Sequence, residues 1–125
     1  ISYGFNTVDG LGKKAVGDKS KLTDEVHHHY YDHLEKRRDR KGCYVFPREI
    51  IQSGHWLDSL WQQRSKIAQI PATIIWGETD VAFRQMELDK WIANWPHAKV
   101  IKLKDVGHYP QEESPETVIQ ELMTN

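Results

Sequence analysis

The most regular pattern of apolar and polar positions lies in the second half of the chain. Leu88, Trp91, Ile92 and Trp95 stand at i, i+3, i+4 and i+7, which predicts a helix with one buried stripe, ended by Pro96. Before it, Ala72–Trp76 is an unbroken apolar run that stops at Gly77. Its β-branched residues and lack of alternation predict a strand buried on both faces, as in a parallel sheet. Lys99–Leu103 predicts a second short strand, followed by the loop DVGHYPQEE. Ser114 then caps a last helix, with Pro115 in its first position and Val118, Ile119, Leu122 and Met123 on its apolar face. Strand, helix, strand, helix in this order makes a βαβ unit. Its right-handed crossover sets the two strands parallel.

The first half is less regular. Residues 1–22 carry Gly4, Gly10, Gly12 and Gly17, and Phe5, Val8 and Leu11 form at most one face of a short helix. Thr23 predicts an N-cap, with Asp24 and Glu25 in the first turn, where the helix dipole favours negative charge. Val26, Tyr30 and Leu34 continue that helix, Lys36, Arg37 and Arg38 close it, and Gly42 ends the element. A short helix is expected to start at Pro47. Leu57, Leu60, Trp61, Ile67 and Ala68 then fit one more helix, stopped by Pro71.

Composition narrows the class. A chain of 125 residues supports one domain with a modest core, and its five Trp and five Tyr argue against disorder. The 17 basic and 18 acidic side chains nearly cancel, so neither nucleic acid nor an anionic membrane is expected as the main partner. No apolar run reaches the length of a membrane span, and ISYGFNTVDG lacks the features of a signal peptide. The single cysteine, Cys43, has no internal partner, which sets a reduced, cytoplasmic location as the expectation; its apolar context marks it as a packing residue. The chain opens on Ile1 rather than Met, which points to a shortened or processed chain.

Chemistry enters at the two strand ends. In a parallel sheet flanked by helices, sites form at the carboxyl ends of the strands. Asp80 follows the first strand in WGETD, and His108 follows the second in KDVGHYP. Gly77 and Gly107 precede them and are expected to let the backbone turn sharply there. A carboxylate beside the imidazole would fix its tautomer and stabilise its charged form, leaving the imidazole as a general base. Singly, an Asp in a turn is often a loop cap and a His in a loop is often a surface residue; their joint placement is what carries weight.

The runs IPATIIWGETDVAF and PHAKVIKLKDVGHYPQEESPETV resemble the C-terminal part of the α/β-hydrolase fold, closest to its haloalkane-dehalogenase-like group with its epoxide-hydrolase and β-lactone-cleaving relatives. The order strand, W-G-x-x-D, helix, strand, G-H-[FY], terminal helix is matched over residues 70–124. The resemblance implies that Asp80 is the acid and His108 the base of a catalytic triad. It implies a helical cap remnant over residues 1–55 and the C-terminal βαβα part of the core over residues 56–125. Phe83 and Tyr109 become candidate substrate-binding residues, and the implied parent substrate is small and apolar. No cofactor and no metal are expected. The departure is the nucleophile: no G-x-[SD]-x-G elbow occurs in the chain, so an Asp or Ser nucleophile would lie upstream, and the chain alone is expected to be inactive.

Other features have plainer readings. His29 and His33 stand one helical turn apart, a spacing that can share a metal, but no third ligand is evident. Trp56, Trp61, Trp91 and Trp95 are expected in the core rather than as halide ligands, and residues 38–41, RDRK, as a solvated helix end. Two alternatives to a dehalogenase-like parent stand open: an esterase or epoxide hydrolase parent, and a non-catalytic α/β module. Either a module or a half-fold leaves a sheet edge uncovered, which favours self-association. A helical metal-binding domain is a third.

Overall fold

The computed structural model describes residues 13–124. It is a mixed α/β chain built on a two-stranded parallel sheet. The strands are β1 (Thr73–Gly77) and β2 (Lys99–Leu103), in the register Thr73↔Lys99 through Gly77↔Leu103. Between them runs helix α4 (Gln85–Asn94), the expected crossover. Glu87 receives the Arg84 N–H at 2.9 Å, which satisfies a donor at the start of that helix. Leu88, on its inner face, is fully buried and Trp95 nearly so; with Ala15 and Val16 they make the buried apolar core among the described residues. The Trp95 indole N–H donates to Ile67 O at 3.2 Å, holding the end of the crossover against the chain entering β1. After β2 come α5 (Pro110–Glu113), packed on β1, and α6 (Pro115–Met123). Lys99 joins Glu121 at 2.6 Å, tying β2 to α6.

Several expectations need correction. Both strands are only half-buried over most of their length, rather than buried on both faces. The apolar face of α6 is largely open, with Ile119, Leu122 and Met123 all exposed. Ser114 precedes α6 without a side-chain bond to its backbone; its hydroxyl instead meets Thr117 Oγ1 at 2.8 Å. Of the four tryptophans expected in the core, Trp95 alone is buried. Trp56 is 61% exposed, and Trp61 stands edge-on to a half-open Trp91 at 5.6 Å.

The first half departs further. Helix α1 (Asp24–Tyr31) begins as expected, with Thr23 Oγ1 accepting from Val26 N–H at 3.2 Å. It stops at Tyr31 and tightens into a 3₁₀ turn over Asp32–Leu34, so Leu34 and the basic residues after it do not extend it. Gly42 does not end an element, nor does Pro47 begin one: both lie inside α2 (Lys41–Gln52). Proline there has no N–H to give the carbonyl four residues back, so α2 lacks one rung. Helix α3 (Gly54–Trp61) ends before Ile67, and a separate 3₁₀ turn follows at Arg64–Lys66. Neither α2 nor α3 contributes a buried residue, and Cys43 is half-buried rather than packed. Residues 38–41, expected as a solvated helix end, instead form a turn over 38–40 and the first position of α2, exposed except for the half-buried Arg40. The glycines and apolar positions read in residues 1–12 lie outside the described residues. No described helix is long and apolar enough to cross a membrane.

Candidate active site

The two strand ends bring Asp80 and His108 together. The turn after β1 is held by Glu78 N–H to Leu103 O at 3.0 Å and Thr79 N–H to Val106 O at 3.1 Å, so it is bonded to the loop that follows β2. Glycine is required where the two loops touch, for lack of space. A Cβ on Gly77 would overlap the carbonyl oxygens of Val106 and Gly107, and one on Gly107 would stand 2.6 Å from Gly17 N and overlap Ala15 O. The expectation that Gly77 and Gly107 serve sharp turning is therefore revised: no described glycine has a positive φ, and what matters is the close approach of backbones.

On this platform His108 Nδ1 lies 2.9 Å from Asp80 Oδ2. A carboxylate only accepts, so Nδ1 carries a proton, and in the neutral ring Nε2 then keeps its lone pair. Asp80 Oδ1 is occupied as well, accepting the N–H groups of Ala82 at 2.7 Å and Phe83 at 3.1 Å. The loop-capping role and the imidazole contact thus coexist in one carboxylate, one oxygen for each. The Asp80 side chain is 8% exposed and that of His108 30%. The acid is shielded from water while the ring keeps an open side. This arrangement can orient an imidazole and stabilise it when it takes up a proton.

Phe83 stacks on the His108 ring at 5.3 Å between centroids with 24° between planes, and Tyr109 meets it edge-on at 5.2 Å. The two candidate substrate-binding rings therefore both flank the imidazole. They do not share a cavity. Tyr109 helps line a cavity of about 140 Å³ with Val16, Leu22, Val26 and Tyr30, and neither Phe83, Asp80 nor His108 borders it. Tyr30 donates to Glu112 at its edge, which pushes the Tyr30 phenol above its ordinary pKa, chiefly through that hydrogen bond. His29 and His33 meet edge-on at 6.2 Å, and no group of three metal-ligating side chains gathers among the described residues.

Glu113 was not legible in the sequence as part of this region. It is 4% exposed and accepts backbone N–H groups from Gly17, Asp18, Gly107 and Tyr109, at 2.8 to 3.3 Å. In the string QEES nothing local separates it from a solvated acid. Its burial depends on a segment 96 positions earlier in the chain.

No protein-family model matches the chain. Among curated proteins it is similar to haloalkane dehalogenase 2 of Mycobacterium bovis and of two strains of Mycobacterium tuberculosis. Each is 25% identical over 105 residues, which is 82% of this chain and 37% of the relative. The chain spans well under half the length of the curated relatives it matches. Together with the α/β architecture, this similarity supports a distant relationship to the α/β-hydrolases and nothing finer.

Proposed function

We propose that this chain is the C-terminal portion of a haloalkane-dehalogenase-like hydrolase, supplying the acid Asp80 and the base His108 of a nucleophile–His–Asp triad. The observation that carries the reading is the 2.9 Å contact between His108 Nδ1 and a shielded Asp80 carboxylate at adjoining strand ends. The nucleophile, an Asp in this reading, comes from sheet that precedes residue 1 in the parent. Its carboxylate oxygen attacks the halogen-bearing carbon of a small apolar substrate, and halide leaves with the bonding pair. The resulting alkyl ester is opened by water. His108 Nε2 takes a proton from that water as its oxygen adds to the ester carbonyl, and Asp80 stabilises the imidazolium so formed. Phe83, stacked on the imidazole, and Tyr109, edge-on to it, each form part of the substrate wall.

The exposed apolar residues of α2, α3 and α6 fit this division of labour. Tyr44, Phe46, Ile51, Trp56, Leu122 and Met123 are each more than half exposed, and a fuller hydrolase would cover such surface. In this reading residues 1–55 belong to the cap and residues 56–125 to the core. The same surface supports a second reading, a module that associates through its open sheet edge and apolar faces. Sizing of the isolated chain separates them in part: a stable monomer argues against association.

The catalytic test is a hybrid in which this chain replaces the matching part of a mycobacterial haloalkane dehalogenase 2. The hybrid is expected to release halide from a short haloalkane, and the isolated chain to release none. Asp80→Asn in the hybrid should cost on the order of 10⁴-fold in turnover, the scale seen when a triad acid is neutralised in other hydrolases. A folded hybrid indifferent to Asp80→Asn would refute the assignment. Release of acid from simple esters in place of halide would favour an esterase parent.

A further inference from the structure

We infer that Glu113 is a positioning residue for His108, an inference that rests on reading His108 as the triad base. Three consecutive N–H groups run through the histidine: those of Gly107, His108 and Tyr109. The first and third are held by Glu113, with Gly107 N between Oε1 and Oε2 at 2.9 and 3.0 Å and Tyr109 N at 3.3 Å from Oε1. The middle one donates to Ala15 O at 2.8 Å. That carbonyl belongs to a segment Glu113 also holds, through Gly17 N at 2.8 Å and Asp18 N at 3.2 Å to Oε2. These three backbone donors are therefore fixed by this one carboxylate, directly or through one neighbour.

The chemistry needs a carboxylate. Two oxygens present acceptor capacity to four converging donors and nothing to clash with them. An amide in the same place keeps one acceptor and turns an NH₂ donor toward N–H groups, on the Gly17 side or the Tyr109 side. Being 4% exposed, the site admits little water to repair the mismatch. A shift of residues 107–109 moves the His108 ring, while the contact with Asp80 depends on that ring's placement within tenths of an ångström. Leu88 and the Trp95–Ile67 bond lie elsewhere in the fold, so a loss at Glu113 need not reach them.

The test reads the tautomer of His108 in the isolated chain by ¹⁵N–¹H correlation of its imidazole, above its titration. In the unaltered chain the Nδ1–H form should dominate, against the usual preference of free imidazole for Nε2–H. In Glu113→Gln the Nδ1–H form should lose its majority while the Trp95 indole N–H signal stays in place. Retention of the Nδ1–H form in a folded Glu113→Gln chain would overturn the role of Glu113 and leave the Asp80–His108 pair standing. An unaltered chain already in the Nε2–H form would instead overturn the pair, and this inference with it. Should Glu113→Gln lose the Trp95 signal, Glu113→Asp carries the test, since it keeps both acceptors but withdraws them by one methylene. A displaced tautomer in that folded variant supports the role, and an unmoved one overturns it.

Discussion

Residues 72–113 and residues 24–68 both carry apolar positions along helices and reach opposite outcomes. In the later region two strands pair, a crossover helix buries Leu88 completely, and its two strand-end loops approach each other and residues 15–17 so closely that glycine is required at Gly77 and Gly107. In the earlier region α1, α2 and α3 form with no buried residue, and Gly42 and Gly54 have open space where a Cβ would stand. Helices on their own can bond their backbones internally; they cannot bury a stripe without something to bury it against. The difference teaches where the chain is self-sufficient. The Asp80–His108 pair lies in the region whose backbone is locked, and the region beside it offers apolar surface awaiting cover.

That contrast is sharpest at a buried side chain. Leu88→Ala should cost about 3 kcal/mol, because it empties a fully closed position. Leu60→Ala on α3, where the leucine is 47% exposed, should cost less than about 1 kcal/mol. Urea denaturation of both variants checks the pair, and equal losses would erase the distinction between the two regions. Glycine gives the next comparison. Gly107→Ala forces backbone apart and should cost about 2 kcal/mol, whereas Gly54→Ala should gain about half a kcal/mol by restricting the unfolded chain. The same denaturation curves read both signs.

The smallest effect is a titration in α1. The exposed His28 bonds Asp32 at 2.9 Å, one turn on, and this bond raises the His28 pKa above its ordinary value. A raised folded-state value means that the contribution is full below the unfolded pKa of about 6.5 and fades as pH rises through the folded one. Asp32→Asn should bring the His28 midpoint down, read from its ring-proton shifts against pH. An unchanged midpoint would remove the pair as the cause.

The second half was legible because its signals are local and agree. The unbroken run before Gly77, the i, i+3, i+4, i+7 stripe of α4 and the Ser114–Pro115 start each fixed an element without help from distant residues. The first half misled because its punctuation was weak. Gly42 sits in the opening turn of α2, where glycine costs little, and Pro47 is tolerated inside an exposed helix at the loss of one bond. Of the site, Asp80 and His108 were readable from their positions after two strands. Glu113 was not, since only the folded chain brings Gly17, Gly107 and Tyr109 to one carboxylate. Nor was the double use of Asp80 readable, one oxygen on its own loop and one on the imidazole.

The most direct measurement of the central claim is the intact mass of the hybrid hydrolase carrying His108→Gln after exposure to a short haloalkane. If His108 activates the water that opens the ester, the first step proceeds and the second stops. The protein should then gain the mass of one alkyl group and keep it, with one equivalent of halide released. A folded His108→Gln hybrid that turns over as the unaltered hybrid does, with no alkyl adduct, would contradict the claim that this chain supplies the base.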